Sequence, residues 1–246
     1  MEELITRLHR YGRLLELEDS IPHWEQQRPE LLARVRELKN NGEWKQIELS
    51  NLEEPNFFQR VFGRVEEKKE KLHKQVREIT AAHTAAKWEL EDLERKLEDG
   101  KQELEALSGS REAYARAKQE AKLTAIQESQ LMMQEIAAFT PVALAAAERV
   151  IDALEEARPW MRKDANSRGV AHGNRKMEFI SLAAANARKL VEILSIMPEG
   201  CAAVGSYLRD PANYIDAVTS EFKKLDRLNN AIDQVRETRN QLRMLQ

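Results

Sequence analysis

Histidine and cysteine, the side chains that most often carry catalysis or bind metals, are few and scattered in this sequence. The five histidines are His9, His23, His73, His83 and His172. No two are four residues apart, the spacing that places two metal ligands on one helical face. The sequence contains no glycine-rich phosphate loop and no HExxH, CxxC or GxSxG motif. We therefore expect no enzymatic activity, no metal, no cofactor and no small-molecule substrate.

A basic cluster between residues 158 and 176 is the best candidate for a binding site. Its basic residues are Arg158, Arg162, Lys163, Arg168, Arg175 and Lys176, and Trp160 adds an aromatic face. Asp164 is the only acidic residue of this segment, in a chain whose net charge is −3. This composition predicts a loop that attracts an anionic partner, such as nucleic-acid phosphates, a lipid headgroup or an acidic protein. The alternative is a solvated linker without a partner, which is the usual role of a charged loop.

A second candidate site is the densest aromatic cluster of the chain. It consists of Phe57, Phe58, Val61 and Phe62. If these side chains are exposed, they form a patch that docks a partner or inserts into a membrane. If other helices cover them, they are part of the core, which is the more common role of aromatic residues at helical spacing.

The element that begins at the aromatic cluster is a long helix with a heptad repeat over residues 62–107. The a positions are Phe62, Lys69, Val76, His83, Leu90, Leu97 and Leu104, and the d positions are Val65, Leu72, Ile79, Ala86, Leu93, Gly100 and Leu107. Apolar residues that alternate at steps of four and three predict a helix that buries one seam against another helix. Polar residues at a positions commonly set the register of such a pair.

The charges beside the seam favour an antiparallel partner helix. A parallel homodimer would place Glu89 opposite Glu94 and Lys96 opposite Lys101, which are like-charged contacts. Ser108-Gly109-Ser110 has the composition of a tight turn between two helices. We therefore predict that the chain folds back at this turn and that residues 111–157 cover the seam. Pro141 allows either a kink or a reversal in that returning segment, and the kink is favoured because it keeps the seam covered.

Shorter helices are predicted on both sides of this hairpin. An amphipathic helix over residues 2–18 should end near Pro22, and a second should begin at Pro29 and end at Asn40-Asn41-Gly42. The predicted organisation is an N-terminal helical segment (1–55), a coiled-coil hairpin (56–157), a basic linker loop (158–176) and a C-terminal helical hairpin (177–246).

The composition agrees with an all-α protein that has a long antiparallel coiled-coil hairpin and further helices packed at its base. Of its 246 residues, 33% are charged and 6% are aromatic, and it has only nine glycines and seven prolines. Cys201 is the single cysteine, so no internal disulfide is possible. The sequence shows neither a signal peptide nor an apolar run long enough to span a bilayer, and a cytoplasmic location is expected.

The function predicted from these features is that of a non-enzymatic scaffold or adaptor that self-associates or binds a protein partner through its helices. The first alternative is a membrane-surface or membrane-shaping protein, because Arg7, Arg10 and Arg13 give the first helix a basic face that permits contact with an anionic membrane. The mixed charge of that helix instead favours packing on its neighbours. The second alternative is nucleic-acid binding through residues 158–176, and nucleic acid is the less favoured partner.

Overall fold

The computed structural model describes residues 1–53, 65–166, 170–198, 201, 204–205, 208–216 and 221–246. Within this described part the ordered elements are α1 (Glu2–Glu53), α2 (Val65–Ala106), α3 (Ser110–Glu120), α4 (Ala125–Asn166), α5 (Val170–Ile196), α6 (Pro211–Asp216) and α7 (Glu221–Arg243). No strand occurs among these residues. The predicted all-α class is therefore confirmed.

Helix α1 continues through both places where an interruption was predicted. Pro22 and Pro29 lie inside the helix, and Asn40-Asn41-Gly42 does not end it. A proline in a helix interior removes one backbone hydrogen bond, at a cost of about 3 kcal/mol. Both proline rings are exposed, so the buried face of α1 stays apolar and its packing offsets that local cost. The predicted ends of the N-terminal helices were wrong for this reason.

Contacts between the helices divide the chain into two compact units. Unit 1 consists of Met1–Glu16 and Leu107–Gln246, and unit 2 consists of Leu17–Ala106. Helix α1 thus contributes its first turns to unit 1 and the rest of its length to unit 2.

Unit 2 is an antiparallel pair formed by α1 and α2. A Cβ added to Gly100 would lie 3.5 Å from Ile21 Cγ1, and one added to Gly42 would lie 3.5 Å from Ile79 Cγ2. From the first contact to the second, α1 advances by three heptads, from Ile21 to Gly42. Over the same distance α2 goes back by three heptads, from Gly100 to Ile79, so the two helices are antiparallel. The helix that covers the seam of α2 in unit 2 is therefore residues 17–53. The prediction that residues 111–157 form the partner was wrong, because those residues belong to unit 1.

Unit 1 is a bundle in which α4 packs against α5 and α7. Small side chains on α4 and α5 are fully or almost fully buried, namely Ala143, Ala146, Ala147, Ala183, Ala184 and Ala187. They let the two helices approach closely, while Phe139, Leu154, Ile180 and Ile232 fill the remaining core. Helix α4 continues through Pro141, as the kinked alternative required, but residues 121–124 are not helical, so 111–157 is not one continuous arm.

The predicted turn at Ser108-Gly109-Ser110 is present. Gly109 has a φ of +82°, a left-handed conformation that a residue with a side chain rarely adopts. The sequence had indicated Ser110 as the cap residue of α3. The cap residue is instead Gly109, which makes no side-chain capping hydrogen bond. None of the described helices combines the length and the apolar content required to cross a membrane.

Candidate interaction surfaces

The seam of unit 2 follows heptad spacing on both helices. On α1 it runs through Leu17, Ile21, Trp24, Arg28, Leu31, Val35, Leu38, Gly42, Lys45, Leu49 and Leu52. All of these except Arg28 are buried or partly buried, as are the a and d residues of α2 from Lys69 to Leu104. The seam predicted for α2 is therefore its buried face. The seam of α1 was missed because Pro22 and Gly42 were interpreted as helix ends and Pro29 as a helix start.

Ion pairs beside the seam join the two helices. Glu25 Oε1 lies 2.6 Å from Lys101 Nζ, Arg28 Nη2 lies 2.9 Å from Glu94 Oε1, and Arg34 Nη1 lies 3.4 Å from Glu89 Oε2. Each partner is close to half exposed, so each pair contributes at most about 1 kcal/mol. Their main effect is on register, because a shift of one helix would bring like charges together. Glu89, Glu94 and Lys101, whose charges disfavoured a parallel dimer, here each meet an opposite charge.

The polar positions of the predicted seam are accommodated in different ways. Lys69 extends toward Glu66, with 3.9 Å between Nζ and Oε1, and keeps a quarter of its side chain in solvent. His83 is partly buried, and the register places it opposite Leu38. Gly100 leaves room for Trp24, whose Cζ3 would lie only 3.0 Å from an added Cβ.

Two tryptophans of unit 2 lie outside the seam. Trp44 on α1 and Trp88 on α2 are both 71% exposed, and Ile47 is 53% exposed one turn after Trp44. Sequence reasoning did not select these residues, although tryptophans between the seam positions of a heptad are a usable signal. The predicted docking patch of Phe57, Phe58, Val61 and Phe62 lies outside the described residues.

The basic cluster at 158–176 is mostly helical, so the predicted loop was wrong for its described part. Helix α4 extends to Asn166 and α5 begins at Val170, while Arg168 lies outside the described residues. The structure brings two predicted cations to Trp160: Lys163 Nζ is 4.7 Å and Arg175 Cζ is 5.7 Å from the ring centroid.

The remaining residues of this cluster differ in exposure. Arg162 is exposed, as a binding role requires. Lys176 is only 5% exposed and does not belong to the accessible surface. Arg158 is partly buried, and its Nε is buried without an acceptor among the described residues. The accessible part of the predicted site therefore consists of Trp160, Arg162, Lys163 and Arg175.

The first helical turns do not present an apolar face to solvent. Leu4, Leu8, Tyr11 and Leu15 are at most 5% exposed within unit 1. Insertion into a lipid surface needs those side chains to be accessible. Their burial argues against the interpretation of this helix as a lipid anchor.

A buried polar cluster in unit 1 was not foreseen. Glu135 is 4% exposed; its Oε1 accepts a hydrogen bond from Tyr114 Oη at 2.5 Å and another from Lys118 Nζ. Burial, together with the Glu135 carboxylate, raises the pKa of Tyr114 well above its usual value. The sequence signal for Glu135 was its spacing. Glu135 lies one turn after Leu131 and one turn before Phe139, and both of these residues are buried.

Potential metal ligands and the single thiol are the remaining reactive groups of the described residues. Among them no group of three His, Cys, Asp or Glu side chains could hold a metal ion. Cys201 is 5% exposed, and burial raises the pKa of its thiol, so little nucleophilic thiolate is present.

No protein-family model, no curated protein and no solved structure matches this chain. The class that its fold defines is all-helical, with an antiparallel helix pair in unit 2 and a helical bundle in unit 1.

Proposed function

We propose that this chain is a non-enzymatic scaffold or adaptor protein whose unit 2 is an antiparallel coiled coil that binds a protein partner. The heptad seam on both helices and the ion pairs that join them support the coiled coil. Because this seam occupies one face of each helix, the remaining faces of α1 and α2 are available to a partner.

The observation that carries the proposal is the exposure of Trp88 in the middle of α2. Tryptophan is enriched at the centres of protein interfaces, where burial of its large ring contributes strongly to affinity. Trp88 is 71% exposed, and the residues beside it in sequence, Lys87 and Glu89, are charged. Glu91 and Asp92, one turn later on the same side of the helix, are also charged, and an apolar ring beside charged side chains is the arrangement of an interface centre with a polar rim.

Site-specific photo-crosslinking in the native host tests this proposal. A benzophenone amino acid placed at position 88 of the full chain is expected to produce one discrete adduct on illumination. The matched control places it at Lys87, whose side chain is 61% exposed and points about a quarter-turn away. Mass spectrometry of the adduct distinguishes a second copy of this chain from a different protein. Equal yields at positions 87 and 88, or no adduct at position 88, would contradict the proposal.

A second candidate function is binding of an anionic partner, nucleic acid in particular, at the end of unit 1 where α4 and α5 meet. Trp160 with Lys163 and Arg175 combines a stacking face with cations, as proteins that bind single-stranded nucleic acid do. Fluorescence anisotropy with a labelled oligonucleotide should show binding that weakens as salt increases and that Arg162→Glu with Lys163→Glu abolishes. Lys39→Glu with Lys74→Glu, two exposed residues of unit 2, is the control for net charge. No binding at low salt removes this candidate.

A further inference from the structure

A cleft of about 440 Å³ opens in unit 1 between the start of α1 and the turn before α3. Arg7 and Arg10 line it from α1, and Ser108, Gly109 and Ser110 line it from the turn. Two guanidinium groups therefore face a helix start across a space that is large enough for a small ligand.

The first turn of α3 carries donors that no side chain caps. Gly109 is the cap residue and has no side chain to accept hydrogen bonds from the amides that follow. The turn itself is held by hydrogen bonds from the Ser110 amide to the Leu107 carbonyl and from the Ala113 amide to the Gly109 carbonyl, each 3.0 Å long. Helix α3 has 11 residues, and the partial positive charge at such a helix start attracts anions.

Ser110 is an independent indication of a ligand. It is only 6% exposed, yet it lines the cleft. Its hydroxyl makes no hydrogen bond with any residue that the structure describes. The residue is buried on its other sides while its hydroxyl stays accessible from the cleft, so a ligand oxygen there can accept its hydrogen bond.

The two arginines have different roles at the cleft. Arg7 is held by Glu3 Oε1 at 2.6 Å and by the Ala113 carbonyl oxygen at 3.3 Å, so it neutralises the one carboxylate that lines the cleft. Arg10 is exposed and has no ion pair within the described part of the chain. Its guanidinium remains available, and guanidinium groups bind phosphate oxygens in a bidentate manner.

We propose that this cleft binds a phosphoryl group, held by Arg10, by the Ser110 hydroxyl and by the uncapped amides at the start of α3. This site belongs to unit 1 and is independent of the partner binding proposed for unit 2. The phosphoryl group can come from a free phosphate compound or from a lipid headgroup, since both offer the same oxygens.

Titration of the full chain with inorganic phosphate at constant ionic strength, followed by NMR, tests the site. The amide resonances of Arg111 and Glu112, in the first turn of α3, should shift with phosphate and not with chloride. Arg10→Gln should weaken binding about tenfold, the effect of one charge-assisted hydrogen bond. Ser110→Ala should weaken it about threefold, the effect of one neutral hydrogen bond.

Arg13→Gln is the matched control, because it removes the same charge from α1 at a residue that does not line the cleft and instead pairs with Glu16 at 3.1 Å. Phosphatidylcholine vesicles with and without phosphatidic acid test the lipid source by co-sedimentation. Binding of either probe that Arg10→Gln weakens and Arg13→Gln does not supports the site. Binding of neither probe, or equal loss in both variants, overturns it.

Discussion

Trp24 and Gly100 lie against each other across the seam of unit 2, so closely that a Cβ on Gly100 would be 3.0 Å from Trp24 Cζ3. Real Cβ atoms essentially never come closer than this to another heavy atom. The glycine at a d position is thus a packing requirement and not a weak point of the helix. This contact also sets where α1 and α2 meet, since only one register places the tryptophan opposite the residue without a side chain.

Gly100→Leu is therefore expected to destabilise unit 2. An added isobutyl group has no space beside Trp24, Ile21 and Leu17, and overpacking of this kind costs about 1–3 kcal/mol. Thermal unfolding followed by circular dichroism measures the change. Ala85→Leu on the exposed face of the same helix is the control and should change stability by less than about 0.5 kcal/mol. A Gly100→Leu variant as stable as this control would show that Trp24 does not occupy the position opposite Gly100.

Pro22→Ala is expected to stabilise the protein. Pro22 is exposed inside α1, so the substitution restores a backbone hydrogen bond and removes no buried contact. The gain should approach about 3 kcal/mol, the penalty of proline in a helix interior. Urea unfolding measures it, and a loss of stability would mean that α1 does not continue through residue 22.

The ion pair between Arg28 and Glu94 should contribute to register more than to stability. A double-mutant cycle with Arg28→Ala and Glu94→Ala is expected to give a coupling energy below about 1 kcal/mol, because both side chains are close to half exposed. Charge reversal at Arg28 alone should cost more than the alanine variant, and Glu94→Arg should restore part of that loss. Absence of any restoration would contradict the pairing.

Tyr114→Phe should destabilise unit 1 by about 1–3 kcal/mol, because the buried Glu135 carboxylate loses a hydrogen-bond donor. Chemical unfolding at neutral pH measures the loss. The control is Tyr214→Phe, since the Tyr214 hydroxyl makes no hydrogen bond with a described residue. Equal losses in the two variants would show that the hydrogen bond to Glu135 contributes nothing.

The same tyrosine predicts a dependence of stability on alkaline pH. The pKa of Tyr114 is higher in the folded chain than its ordinary value of 10.0, so above pH 10 the unfolded chain releases this proton first. Its contribution to stability is complete below pH 10 and falls by about 1.4 kcal/mol for each further pH unit. The difference in unfolding free energy between the wild type and Tyr114→Phe should therefore shrink above pH 10. A constant difference up to pH 12 would contradict this prediction.

Cys201 should react slowly with thiol reagents while the protein is folded. Its side chain is 5% exposed, and burial raises the pKa of the thiol, so both access and thiolate fraction are reduced. Labelling with a chromogenic disulfide should be slow in buffer and become rapid in denaturant. Rapid labelling of the folded protein would place Cys201 at the surface.

The interaction surfaces were only partly predictable from sequence. The basic residues that meet Trp160 were identified, because charge and aromatic composition are visible in the chain itself. The burial of Lys176 was not predictable, since it depends on how the start of α5 packs. The cleft beside Arg10 was not predictable either, because its two walls are about a hundred residues apart in the sequence and meet only in the folded unit.

The sequence by itself determined the helical class and the buried face of α2. Heptad periodicity is a local property, and it defines the same apolar face whichever helix packs against it. Only the tertiary structure decided which helix covers that face. Leu17–Leu52 has an equally regular seam. It was missed in the sequence because Pro22, Pro29 and Gly42 were each interpreted by their local preference for helix boundaries. The burial of that seam against α2 outweighs the local cost of two prolines, so packing over the whole length of α1, and not propensity at single residues, selected the fold.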